Sequence, residues 1–105
     1  MEEDPLLRFS EIPWNEIAPG AREKAYQRSF NTVRLLHLAP GFEEVEWCRR
    51  QHIGFVLEGS FEIQFTNRIV RYQQGDGIAI PAGEGSKHRA RVGDEPVTMF
   101  LIDPH

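Results

Sequence analysis

A single cysteine, Cys48, stands in the whole chain, so no internal disulfide can staple the fold. No apolar stretch approaches the roughly 20 residues that a membrane-spanning helix needs. The opening residues, MEEDP, are acidic, and no apolar signal core follows them. Basic residues are scattered rather than gathered, and the formal net charge is -4, which argues against a nucleic-acid partner. Lys87, Arg89 and Arg91 recur with period two and read as the solvated face of a strand. No P-loop, dinucleotide fingerprint or Ser-His-Asp order occurs, no repeat is visible, and no helical period of 3.6 persists. These absences leave a cytoplasmic protein with no membrane or nucleic-acid partner as the expectation.

What is present is strand after strand. The 105 residues suit one domain with one core, and 40% apolar against 27% charged residues is an ordinary globular balance. Residues 1 to 29 are broken by Pro5, Pro13, Pro19 and Gly20 but hold Leu6, Leu7, Phe9, Ile12, Trp14 and Ile17. They read as an irregular N-terminal arm packing on a barrel, with one short strand near Arg8–Ser10 and a mobile tail over Met1–Asp4. Residues 30 to 105 read as the barrel. Thr32–Leu38, His52–Leu57, Phe61–Phe65, Ile69–Tyr72, Ile78–Ile80, Lys87–Val92 and Val97–Ile102 are short β-rich runs, and Gly, Pro or Asn turns separate most of them. Phe42–Cys48 alternates more loosely. So many strands in so short a chain predict an all-β sandwich or barrel, and closing the sheet hides its edges.

Residues 46 to 59, EWCRRQHIGFVLEG, carry the chemistry. Glu46, Cys48 and His52 share parity, so on a straight strand they point to one side. His88 shares a face with Ala90 and Val92. Convergence on one centre is one reading. The other is a metal-free barrel in which Cys48 is a small buried hydrophobe and Glu46 pairs with Arg49 or Arg50. Trp47, Phe55 and Leu57 have the opposite parity and should face core or an interface. His37 and His105 are not taken as ligands, and Gly59, Gly75 and Gly83 read as turn residues.

The segments PGFEEVEWCRRQHIGFVLEG and GDGIAIPAGEGSKH resemble the two motifs of the cupin superfamily, and the resemblance covers residue 30 onward. It implies a double-stranded β-helix, the jelly-roll cupin barrel, with ligands pointing into its mouth. Counting back from Gly59 puts the family's acid position at His52 and its His-x-His positions at Glu46 and Cys48. The second motif gives Gly75, Pro81, Gly83 and His88. Metal-binding cupins usually place three histidines and one acid at these four positions. Here the resemblance implies Glu46, Cys48, His52 and His88, a set in which every member can still ligate a metal. A carboxylate, a thiolate and two imidazoles suit Zn(II), with Fe(II) and Ni(II) as alternatives. The functional expectation is a small metal-binding cupin, acting as a metal-dependent enzyme on a small molecule in the barrel mouth. The alternative is a non-catalytic binding or sensing module, with or without metal. Four protein ligands resemble a closed structural zinc site and count against catalysis. Relatives of this kind often pair through sheet edges, so a homodimer is expected.

Overall fold

A computed structural model describes residues 3–105; the first two residues of the expected mobile tail lie outside it. Among the described residues nine strands run in chain order: β1 (Asn15–Ala18), β2 (Ala21–Gln27), β3 (Asn31–Leu38), β4 (His52–Glu58), β5 (Ser60–Phe65), β6 (Ile69–Gln73), β7 (Gly77–Ile80), β8 (His88–Arg91) and β9 (Val97–Pro104). They form a six-stranded sheet in the order β1-β2-β3-β9-β4-β7 and a three-stranded sheet in the order β6-β5-β8. Every pairing is antiparallel. This is the all-β jelly-roll expected from the sequence.

The core is built by alternation. In β9, Val97, Met99, Leu101 and Asp103 are buried while the residues between them are partly exposed. Phe61 and Ile63 of β5, Ile78 and Ile80 of β7, and His88 and Ala90 of β8 obey the same period. These inner faces meet in one hydrophobic cluster that includes Val56 and Val97, both fully buried. Side chains on the two sheets thus interdigitate as in any packed sandwich. Gly59 turns the chain from β4 into β5 at φ +82°, and a Cβ there would run into the Pro96 carbonyl oxygen, so only glycine fits. Gly75 and Gly83 also sit at positive φ, as expected.

The N-terminal segment is more regular than its prolines suggest. No strand forms near Arg8–Ser10, where one was expected; Phe9–Glu11 is a short 3-10 turn instead. Beyond Pro13, β1 and β2 make a hairpin, and β2 pairs with β3 from Ala21↔Leu38 to Gln27↔Thr32. A line between residues 29 and 30 therefore runs through the middle of a sheet. The prolines misled because they fall in turns and flanks: Pro13 precedes β1 and Pro19 lies in the β1–β2 turn. Packing of the segment on the barrel is direct. Phe9 meets Tyr26 and Phe100 edge-on, with ring centroids 5.4 and 6.4 Å apart. Lys24 donates to the Phe9 carbonyl and Tyr26 to the Arg8 carbonyl. Among the described residues no helix is long and apolar enough to cross a membrane.

Candidate metal centre

Cys48 is not on a regular strand. It lies in the long connection between β3 and β4, fastened to His88 by a reciprocal backbone pair: Cys48 N donates to His88 O at 2.8 Å, and His88 N to Cys48 O at 2.9 Å. Such a pair holds the two residues directly opposite each other. His52 opens β4 and faces the same space, with its ring 5.1 Å from that of His88. The three side chains converge: one ligand atom from each of Cys48, His52 and His88 lies within 4.8 Å of the others, so the cluster could hold a metal ion. Cys48 Sγ and His52 Nε2 are 3.5 Å apart.

Both imidazoles are oriented from behind. His88 Nδ1 lies 3.0 Å from the Ser86 carbonyl, which can only accept, so in the neutral ring Nδ1 carries the hydrogen. His52 Nδ1 lies 3.1 Å from Asp103 Oδ1, an acceptor of the same kind. Each Nε2 then carries the lone pair, the tautomer a metal requires; that of His52 faces Cys48 Sγ and that of His88 has no partner. His88 is 2% exposed, and its Nε2 has no hydrogen-bond partner; among the described residues it is the one buried side-chain nitrogen or oxygen so placed. A buried unpaired acceptor costs about 1–3 kcal/mol. The donor set, two imidazole nitrogens and a thiol with one acceptor left empty, fits a transition-metal ion.

Behind His52 runs a file of charge across four adjacent strands. Glu23 of β2 bonds Arg34 Nη1 at 3.1 Å, Arg34 of β3 donates Nε to Asp103 Oδ2 at 2.7 Å, and Asp103 of β9 meets His52 of β4. Burial alone would raise the Asp103 carboxyl, but the hydrogen bond from His52 and the Arg34 guanidinium outweigh it and hold it below the ordinary carboxylate range. Asp103 and Arg34 were not singled out from the sequence. The signal was there: Asp103 continues the inward period of Val97, Met99 and Leu101, and Arg34 that of Leu36 and Leu38.

Glu46, expected as the fourth ligand, lies outside the cluster. Val45 is 84% exposed and Glu46 is exposed beside it, so alternation fails where the chain bends. The inward place is taken two residues earlier by Glu44, which lines the cavity and accepts the Ala90 N–H at 2.8 Å. Parity argued for Glu46 on the assumption of a straight strand, and only isolated bridges exist there. Trp47 turns away from the cluster, as expected, and its ring packs under Arg89 and Lys87. The loop that leads to His88 is pinned from outside. Gly83 N donates to Arg49 O, and Glu84 bridges Arg49 and Lys87, which pull its carboxyl down to about 2.

The family model described as "Cupin domain" matches residues 34–103. The chain belongs to the cupin family. No curated protein matches it. Among solved structures, KdgF from Halomonas sp. superposes with a TM-score of 0.78 at 20% identity, covering 98% of this chain and 96% of that one. The polyketide cyclase RemF from Streptomyces resistomycificus gives 0.81 at 16% identity, over 97% of this cupin and 80% of RemF. A cupin-superfamily sugar phosphate isomerase from Silicibacter pomeroyi gives 0.78 at 19%, over 96% and 76%. At these identities the likeness establishes the fold, and function must be argued from the site.

Proposed function

We propose that this cupin binds one divalent transition metal through Cys48, His52 and His88 and uses it to act on a small molecule in the barrel. The observation that carries the reading is the orphaned Nε2 of His88, buried beside Cys48 and His52. Zn(II) is the leading ion because a thiolate with two imidazoles is a zinc set; Fe(II) and Ni(II) are the alternatives. Three protein ligands rather than four leave a coordination position for water or substrate, the pattern of catalytic and not structural zinc. The bound ion would supply Lewis-acid polarisation of a substrate oxygen. The chain's own residues do the rest: Asp103 and the Ser86 carbonyl aim the two imidazoles, and the apolar barrel wall keeps bulk water from the cluster. Neighbours named as a polyketide cyclase and a sugar phosphate isomerase lend weight to an enzymatic role. A cytoplasmic setting, where thiols stay reduced, suits Cys48 as a ligand.

Elemental analysis of the purified protein beside a His88→Ala variant tests the proposal. The expected result is about one metal equivalent in the first and a large loss in the second. A protein that stays metal-free both as isolated and after incubation with Zn(II), Fe(II) or Ni(II) would instead be a metal-free binding barrel. Chelation should also speed alkylation of Cys48 while circular dichroism shows the barrel intact.

A homodimer is part of the proposal. The outward face of β4 leaves Ile53, Phe55 and Leu57 46%, 45% and 40% exposed, next to the edge strand β7. Sedimentation showing only monomer at micromolar concentration would remove it.

A further inference from the structure

The cavity beside the cluster measures about 280 Å³ and is lopsided. Most of its wall is hydrocarbon, drawn from both sheets: Leu36, Phe61, Ile63, Ile80, Met99 and Leu101 are representative. Six polar side chains reach it, namely Arg34, Glu44, Cys48, Arg50, His52 and His88. Five have tasks already. Three form the cluster, Arg34 is engaged by Glu23 and Asp103, and Glu44 holds the Ala90 N–H. Arg50 has neither an ion pair nor a side-chain hydrogen bond among the described residues. It is exposed, lines the cavity, and stands two residues from both Cys48 and His52.

Each half of this arrangement selects. A guanidinium with nothing to pair with is a receptor for a planar oxyanion, above all a carboxylate. The carboxylate of Glu44 on the same cavity opposes a second negative group. A sugar brings a hydroxyl on nearly every carbon, and burying each without a partner costs about 1–3 kcal/mol. The hydrocarbon wall supplies no such partners, whereas it rewards apolar area at about 25 cal/mol per Å².

Resting on the metal-binding reading above, we infer that the cavity takes a small apolar monocarboxylate, its head at the cluster beside Arg50 and its hydrocarbon body against the barrel wall. The volume suits roughly ten to fifteen non-hydrogen atoms. Sugars and sugar acids are disfavoured.

The test is calorimetric titration of the zinc-loaded full chain with 3-phenylpropanoate, its neutral amide, and glucuronate. The carboxylate is expected to bind at least about tenfold more tightly than either of the others. Arg50→Ala should weaken 3-phenylpropanoate about tenfold, change the amide less than twofold, and be partly rescued by Arg50→Lys. Arg50 is exposed, so these variants keep the fold, which circular dichroism checks. Glucuronate binding as tightly as 3-phenylpropanoate, or equal binding by the parent and Arg50→Ala, overturns the inference. Equilibrium dialysis of the same samples separates the two levels. Failure to take up zinc sinks the metal reading and this inference with it; zinc uptake without the carboxylate preference sinks this inference alone.

Discussion

Among the described residues two polar side chains are buried on the inner faces of the barrel, one on each sheet, and they are treated in opposite ways. Asp103, on the six-stranded sheet, is 4% exposed and has both oxygens bonded, one to Arg34 and one to His52. His88, on the three-stranded sheet, is 2% exposed and has one ring nitrogen bonded and the other bare. A buried polar group with every partner in place is structural polarity; it aims its neighbours and asks for nothing more. One with a partner missing carries a standing cost, and that cost is recovered when something binds. The contrast separates the residue that supports the candidate centre from the residue proposed as its ligand.

The largest effect should come from breaking the satisfied side. Asp103→Ala strands the largely buried guanidinium of Arg34 with Glu23 alone, and removing one member of a buried pair costs about 3 kcal/mol. Chemical denaturation should show that loss, and metal affinity should also drop about 10- to 100-fold because His52 loses its orienting partner. Asp103→Asn, which keeps an acceptor, should recover part of both. An Asp103→Ala protein as stable as the parent would end the distinction.

Breaking the unsatisfied side should look different. His88→Leu is expected to weaken zinc binding about 100-fold, read by competition with a chelating dye, yet to leave the metal-free protein about as stable as before. The apolar replacement removes an unpaired acceptor worth about 1–3 kcal/mol. If metal-free His88→Leu unfolds far more easily than the parent, the bare nitrogen is a structural feature and not a ligand.

Glu46→Ala sharpens the boundary of the cluster. Its carboxylate is exposed at a bend, so zinc affinity should change less than about threefold. A loss comparable to that of His88→Leu would mean that the loop closes over the ion and restores a four-ligand site.

The smallest effect lies on the outer face of the six-stranded sheet. Burial, with help from Arg22, lowers the pKa of His37 below its ordinary 6.5, against a smaller opposing pull from Glu58. The unfolded chain then binds this proton more readily than the folded one. Stability from the neutral ring is present above about pH 6.5 and fades as pH falls through the folded value. Replacing His37 by Asn should flatten the pH dependence of the denaturation midpoint over that window.

The architecture was legible in the sequence because period-two alternation and Gly-Pro punctuation are local signals. The strands from Thr32, His52, Phe61, Ile69, Ile78, His88 and Val97 all appear near their expected places. The first hairpin was not legible, since Ala21–Gln27 is a polar-rich strand that exists because it pairs with β3 from Thr32 to Leu38. Membership of the cluster divides the same way. Motif spacing named all four of Glu46, Cys48, His52 and His88; the last three converge, while Glu46 stands apart from them because parity holds only while backbone stays extended, and the β3–β4 connection bends. Asp103 and Arg34 lie 51 and 18 residues from His52 in the chain. Chain order alone determined which residues could ligate and which face of each strand they would take. Only the pairing of β3, β9 and β4 decided that a carboxylate near the C-terminus would stand behind the first histidine of the site, because hydrogen-bonded neighbours across a sheet are set by register and not by sequence distance.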